Sequence, residues 1–196
     1  TASTTAAMAA SSAATALSPP TLAAGPAAAA MPDEGEAWRA LALRWGVTLA
    51  DGVDACAAAG AQGLQCLRTR GGLDLIRRLG HPVIVELQDD AGRRGHALVT
   101  GMADAGLVLQ TAEGPRTVAL AALARVWRGE FATLWRPPPG WRAGMPIPAL
   151  EDWLRPRLAA AGGTSADQPL REQVLAFQTG RGLTPDGRLG PLTLIA

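Results

Sequence analysis

Lysine, asparagine and tyrosine are absent from this chain of 196 residues, and cysteine and histidine occur only twice each. Without lysine the chain cannot contain the Gly-rich phosphate loop that ends in Lys-Ser or Lys-Thr, so we do not expect it to hydrolyse ATP. A net charge of +1 gives no electrostatic reason to expect nucleic acid or an acidic membrane surface as a partner. No apolar run of about 20 residues is present that could cross a membrane. Cys56, Cys66, His81 and His96 show no recognisable zinc-ligand spacing, so neither a metal nor another cofactor is expected.

Composition divides the chain into four segments. Residues 1–32 are almost entirely alanine, threonine, serine and proline, which cannot bury enough apolar surface to offset the entropy of ordering, so a disordered tether is predicted there. The segment lacks the basic and leucine-rich regions of a signal peptide, and we therefore expect the chain to be a piece of a longer protein. The Arg-Pro-Pro-Pro-Gly run at 136–140 predicts a stiff connector. We expect one domain at 33–136, a Pro-rich linker at 137–145 and a second domain at 146–196.

Residues 33–136 are predicted to form helices followed by an antiparallel sheet, which is an α+β domain. Apolar periodicity predicts helices over 34–46, 49–60, 72–80 and 121–126. Short apolar runs predict strands at 83–87, 97–102, 107–110, 116–120 and 131–135.

The C-terminal region contains the most specific pattern of the chain. Leu170, Val174 and Phe177 share one face of a predicted helix, and the chain then turns at Gly182 and at Asp186-Gly187 before a further helix begins. The order of Phe-Gln, Gly-Leu, Asp-Gly-x-x-Gly and Thr resembles the peptidoglycan-binding domain of bacterial cell-wall enzymes. The resemblance implies a small three-helix unit.

The same resemblance implies a binding groove in this unit. We expect it around Phe177, Gln178, Arg181, Asp186, Gly187, Arg188 and Thr193. The two arginines could pair with stem-peptide carboxylates, and Asp186 could accept hydrogen bonds from sugar or peptide amides. Each residue also has a structural alternative: Phe177 as a core residue, Asp186 as a turn former and the arginines as solvated side chains.

The motif order of residues 33–136 resembles the papain-like peptidases that trim bacteriocin leader peptides. In that family an Asp-Cys-Gly motif supplies the nucleophile, a histidine that begins a later strand is the base, and an aspartate after the next hairpin strand orients the histidine. Here Glu34 stands at the nucleophile's position, His96 keeps that of the base, and Thr111-Ala112 falls where the orienting residue belongs. A carboxylate cannot replace a thiolate against an unactivated amide, so we expect a peptidase-like domain without peptidase activity.

Cys56 and Cys66 leave three alternatives open. In an envelope protein two cysteines ten positions apart can form a disulfide, which is the preferred interpretation and would stabilise by roughly 2–3 kcal/mol in the chain-entropy model. They can also be free structural thiols. In the third alternative Cys56 is the nucleophile and His96 the base of a cell-wall cysteine endopeptidase.

An inactive peptidase-like domain followed by a peptidoglycan-binding domain resembles the periplasmic region of the family of general secretion pathway protein A, the ATPase of type II secretion systems. Gly63-Leu64 before Cys66, the Trp-Arg-Gly-Glu-Phe run at 127–131 and the Leu-Trp-Arg-Pro run at 134–137 contribute to this resemblance, which covers about residues 36–196. It implies a non-catalytic module in the periplasm that binds peptidoglycan. The family resemblance further implies an inner-membrane B partner, support of secretin assembly, and a full-length protein tethered to the inner membrane with a separate cytoplasmic ATPase domain.

Overall fold

The structure is a computed structural model that describes residues 26–162 and 167–196. The helices are α1 (Glu34–Arg44), α2 (Ala55–Gly60), α3 (Leu73–Leu79), α4 (Leu120–Val126), α5 (Glu151–Ala161), α6 (Leu170–Gly180) and α7 (Pro191–Ile195). The strands are β1 (Gln65–Arg70), β2 (Val83–Gln88), β3 (Arg94–Ala103), β4 (Gly106–Thr111), β5 (Gly114–Ala119) and β6 (Trp127–Trp135). In the described part of the chain, no helix has both the length and the apolar composition needed to cross a membrane.

The six strands form one antiparallel sheet in the order β1-β6-β2-β3-β4-β5. Successive side chains of a strand point to opposite faces, and β2 shows this alternation directly. Val83, Val85 and Leu87 belong to a core shared with α3 and α4, whereas Ile84 belongs to the core beneath α1 and α2. Helices therefore cover both faces, and the predicted α+β fold is confirmed.

The region of α2 and β1 differs from the sequence prediction in two respects. The helix predicted over 49–60 begins only at Ala55, because Gly52 has a φ of +73° and the Asp54 side chain caps the helix by accepting a hydrogen bond from the Ala57 amide at 2.6 Å. Strand β1 was not predicted. It pairs with β6 along its whole length and occupies one edge of the sheet.

The predicted tether over 1–32 is wrong for its last residues, while residues 1–25 lie outside the described part. Pro26–Ala29 forms a 3-10 turn, and Ala29 is buried in the core on the α3 side of the sheet. Met31 continues the sheet by exchanging two backbone hydrogen bonds with His96, at 2.7 and 2.9 Å. Small apolar residues can pack closely against Gly95, where a Cβ would lie 2.8 Å from that of Ala30.

The C-terminal unit consists of α5, α6 and α7 around a third core. The interpretation of 137–145 as a linker is also corrected, because Trp141 is buried in this core and donates from Nε1 to the Leu189 carbonyl at 3.1 Å. Its ring meets that of Trp135, the last residue of β6, edge-on at 4.9 Å between centroids. Even within a Pro-rich run a tryptophan is driven into a core, because burying an indole removes a large apolar area from water.

Arg78 fastens the C-terminal unit to the sheet. This side chain extends from α3 and donates from Nη1 to the carbonyls of Arg181 and Gly182, each at 3.0 Å. On the same side Leu192 and Ile195 of α7 pack against the core formed by the sheet and α3. The C-terminal unit and the sheet are thus in direct contact.

Candidate functional site

Gln178 is the centre of the predicted peptidoglycan-binding motif, and it is buried, with only 1% of the residue exposed. Its Nε2 donates to Asp186 Oδ1 at 2.8 Å, to Thr193 Oγ1 at 2.9 Å and to the Arg188 carbonyl at 3.1 Å. Its Oε1 accepts from the Gly187 amide at 2.8 Å. A buried side chain cannot touch a ligand, so the predicted role of Gln178 is corrected: it positions the loop that follows α6.

Asp186 and Gly187 form the turn that Gln178 holds. The Asp186 carboxylate accepts from Gln178 and from the Arg188 amide, and these two hydrogen bonds, the Gln178 one foremost, hold the pKa of Asp186 below its ordinary value. The side chain is exposed and therefore carries its negative charge at neutral pH. Gly187 has a φ of +64°, and a Cβ there would approach the Arg171 side chain to 3.2 Å, so the turn requires glycine.

Two grooves flank the Gln178 network. The larger, which we call the loop groove, has a volume of about 610 Å³ and lies between residues 141 and 143–147 on one side and 186–191 on the other. The smaller, which we call the helix groove, has a volume of about 160 Å³. It is lined by Trp153, Leu154, Arg157, Leu158, Ala161, Val174, Phe177, Arg181, Thr193, Leu194 and Ala196.

The predicted binding residues do not share one surface. Asp186, Gly187 and Arg188 line the loop groove, whereas Phe177, Arg181 and Thr193 line the helix groove. In the helix groove each arginine lies over an aromatic ring. Arg157 Cζ is 3.9 Å from the centroid of Trp153, and Arg181 Cζ is 5.4 Å from that of Phe177. The sequence analysis expected these residues to share one binding groove, and the structure instead distributes them over two grooves.

Sequence reasoning missed the second wall of the loop groove. Residues 143–145 were assigned to the linker and residues 146–147 to the start of the second domain, yet all five line the groove opposite Asp186 and Arg188. The available signal was Trp141, a lone tryptophan in a run of proline and glycine. Its indole hydrogen bond to Leu189 joins the two walls.

The sheet domain contains a cleft at the position that the peptidase resemblance predicts. Glu34 and His96 line the same cavity of about 220 Å³, together with Arg68 and Glu86. Glu34 accepts from Trp38 Nε1 at 3.0 Å and forms an ion pair with Arg68. Burial raises the pKa of Glu34, but the hydrogen bonds from Arg68 and Trp38 and the charge of Arg68 outweigh burial and hold the pKa below its ordinary value. The residue at the nucleophile's position is therefore a carboxylate engaged in structural contacts.

His96 lacks the partner that a catalytic base requires. Its Nδ1 is buried and has no hydrogen-bond partner in the described ranges, 26–162 and 167–196. Thr111, at the predicted orienting position, directs its hydroxyl to the Gly114 carbonyl at 2.8 Å and to Glu113 at 2.9 Å. An imidazole without an orienting acceptor is a poor general base.

Cys56 and Cys66 form a disulfide that joins α2 to β1, with their Cα atoms 5.5 Å apart. A sulfur in a disulfide cannot attack a carbonyl, and Cys56 does not line the cleft that contains His96. The alternative of a cysteine endopeptidase that uses Cys56 and His96 is thus contradicted. Among the described side chains no cluster of three or more His, Cys, Asp or Glu could hold a metal ion.

Comparison with known proteins identifies similarity to two components of bacterial secretion systems. The chain is similar to general secretion pathway protein A of Aeromonas hydrophila, with 28% identity over 149 residues, which are 71% of this chain and 27% of that protein. The chain thus spans about a quarter of the length of the curated relative it matches. It is also similar to a periplasmic domain of the EpsAB fusion protein of the Vibrio vulnificus type II secretion system, with a TM-score of 0.54 and 25% identity over 86% of this chain and 79% of that one.

A weaker structural likeness, with a TM-score of 0.44 and 13% identity, links 61% of this chain to 97% of the peptidase domain of Streptococcus ComA, a bi-functional ABC transporter. No protein-family model matches the chain. The resemblance to general secretion pathway protein A that the sequence predicted is confirmed.

Proposed function

We propose that this chain is a non-catalytic periplasmic module of a type II secretion system that binds peptidoglycan through its C-terminal helical unit. The observation that supports this most is the extent of the likeness to the EpsAB periplasmic domain. It covers 86% of the chain, whereas residues 33–136 make up little more than half, so the likeness extends beyond the peptidase-like domain. The proposed binding unit and the sheet domain therefore occur together in a relative from a secretion system.

The chemistry of the cleft supports a module without cysteine-peptidase activity. The nucleophile's position is held by Glu34 in an ion pair, and both cysteine sulfurs of the chain are in one disulfide. Neither group can form an acyl-enzyme with a peptide bond. The sheet domain then serves as a scaffold on which α5, α6 and α7 are mounted.

The partners in this proposal are peptidoglycan, an inner-membrane B component and, indirectly, the outer-membrane secretin. The Vibrio vulnificus relative is an EpsAB fusion protein, which motivates the choice of a B component as the partner here. In the full-length protein the module is tethered to the inner membrane, grips the wall and helps the secretin to assemble through it.

Sedimentation with purified peptidoglycan sacculi tests this function. The protein should pellet with sacculi and remain soluble with cellulose, an insoluble polysaccharide without peptides. Chromatography of the supernatant should show no soluble muropeptides after long incubation. Protein that stays in the supernatant with sacculi would refute wall binding, and muropeptide release would refute the non-catalytic assignment. Co-purification of a B component's periplasmic segment with this chain tests the partner.

A further inference from the structure

We propose that the loop groove, and not the helix groove, is the peptidoglycan site, and that it takes the carboxyl-terminal end of a stem peptide. This inference rests on the proposed function and narrows it to one surface and one chemical group. It also gives a binding role to residues 143–145, which the sequence analysis assigns to a linker.

Arg188 supplies the cation for a terminal carboxylate. Its side chain is exposed at the loop groove, and in the described part of the chain its guanidinium has neither an ion-pair partner nor a hydrogen-bond acceptor. Of the residues that the structure describes, Asp186 is the only acidic one that lines this groove. The charge of Arg188 contributes to the low pKa of Asp186 after the two hydrogen bonds described above, but the side chains form no ion pair. Because a guanidinium binds a carboxylate through two parallel hydrogen bonds, the free Arg188 suits a chain terminus.

Asp186 supplies an acceptor for a peptide N–H. Its Oδ1 is engaged by Gln178 and by the Arg188 amide. In the described residues Oδ2 has no hydrogen-bond partner, so it can accept from a ligand amide. The buried Gln178 fixes the carboxylate in place, which reduces the entropy lost on binding.

The walls of the loop groove are small and mainly apolar. The side opposite Asp186 consists of Ala143, Gly144, Met145, Pro146 and Ile147. Such walls suit methyl side chains, and an alanine at a chain terminus combines a methyl group, an amide and a carboxylate. The volume of about 610 Å³ lies in the range of roughly 300–1,000 Å³ that is typical of ligand pockets.

The helix groove fits this ligand less well. Its volume is about 160 Å³, and both of its arginines lie over aromatic rings. Arg157 also donates to the Trp153 carbonyl at 2.8 Å, which uses part of its hydrogen-bonding capacity. Among the described residues, no aspartate or glutamate lines this groove to accept a hydrogen bond from a ligand amide.

Two exposed alanines provide a matched pair of variants. Ala143 lines the loop groove, and Ala149 lies six residues further on and does not line it. Ala143→Trp should fill the groove and abolish retention on sacculi, whereas Ala149→Trp should be retained like the parent chain. Arg188→Gln should weaken retention at least about tenfold, because a charged hydrogen bond commonly contributes a factor of this size.

A soluble probe identifies the recognised group. We expect diacetyl-L-Lys-D-Ala-D-Ala to shift the NMR signals of the Gly144 and Gly190 amides and of the Trp141 indole in the full chain, and its C-terminal amide to bind at least about tenfold more weakly. Equal binding of acid and amide would overturn the inference, as would retention of both Ala143→Trp and Arg188→Gln on sacculi that also retain the parent. In those cases the proposed function stands. If sacculi do not retain the parent chain, the proposed function fails first.

Discussion

Replacing Gln178 by methionine tests whether the buried amide holds the loop groove together. Methionine has a similar length and helix propensity, so the change removes four hydrogen bonds without emptying the site. The Gly187 amide is then left buried without its acceptor, which costs about 1–3 kcal/mol. The bonds to Asp186, Arg188 and Thr193 reach partly exposed groups that water can satisfy, and their loss adds about 1 kcal/mol. We expect the free energy of unfolding of the C-terminal unit to fall by about 3 kcal/mol.

Amide hydrogen exchange followed by NMR is the suitable assay, because it reports the opening of this unit separately from that of the sheet. Protection of the Gly187 amide and of the α6 amides should fall about a hundredfold, which corresponds to about 3 kcal/mol. Thr179→Val is the matched control, since the exposed Thr179 hydroxyl only donates to a carbonyl of its own helix at 2.9 Å. Its effect should stay within about 0.5 kcal/mol.

The same variant has a signature in pH dependence. A folded-state pKa below the unfolded value means that Asp186 stabilises the fold above its unfolded pKa and loses this contribution as pH falls through the folded value. Gln178→Met removes the main cause of the shift, so the pKa of Asp186 should rise towards 3.8 and the stability deficit should be larger at pH 7 than at pH 2. An unchanged Asp186 titration, or a Gly187 amide that keeps its protection, would show that the network is dispensable.

Three further predictions concern the sheet domain. Gly106→Ala should lower the free energy of unfolding in urea by about 3 kcal/mol or more, because its Cβ would lie 1.9 Å from a backbone oxygen. In the control Gly60→Ala the new Cβ meets no atom within 4 Å and the change should be neutral or slightly stabilising, so equal effects of the two variants would contradict the prediction. The Cys56→Ser/Cys66→Ser double variant should lose about 2–3 kcal/mol, and thiol titration of the denatured parent under non-reducing conditions should find no free thiol rather than two. Glu34→Gln should destabilise the fold at pH 7 but not at pH 2, because a carboxylate whose pKa is lowered by folding stabilises the fold only above its unfolded pKa and loses this contribution as pH falls. A loss of stability that persists in acid would exclude the ion pair with Arg68 as its cause.

The sequence was informative for the fold wherever burial imposes a pattern. Strands β2, β3 and β4 were predicted from their apolar runs, because these strands contribute to the core. Helix α6 was predicted from its apolar periodicity, because one stripe of the helix is buried. Strand β1 was missed because it lies at the sheet edge, where few apolar residues are needed, and Arg68 and Arg70 point into partly solvated surroundings. The start of α2 depended on the Asp54 cap, which a composition rich in alanine obscures.

The site was predictable only in part, for a reason that Gln178 illustrates. Glutamine is mostly exposed in proteins, and its burial here depends on partners eight to fifteen positions away in the chain. Such a network is a property of the closed fold and has no local pattern. The same holds for Ala143 and Arg188, which tertiary packing brings to opposite walls of one groove.

The final residue of β6 has a consequence for how the whole molecule moves. Trp135 is hydrogen-bonded into the sheet beside β1 and is also a member of the core of the C-terminal unit. A hinge at 136–140 would have to pull this indole out of that core. The two units should therefore tumble together, with one rotational correlation time for amides of α1 and α6. Binding of peptidoglycan by the C-terminal unit would then fix the orientation of the sheet as well.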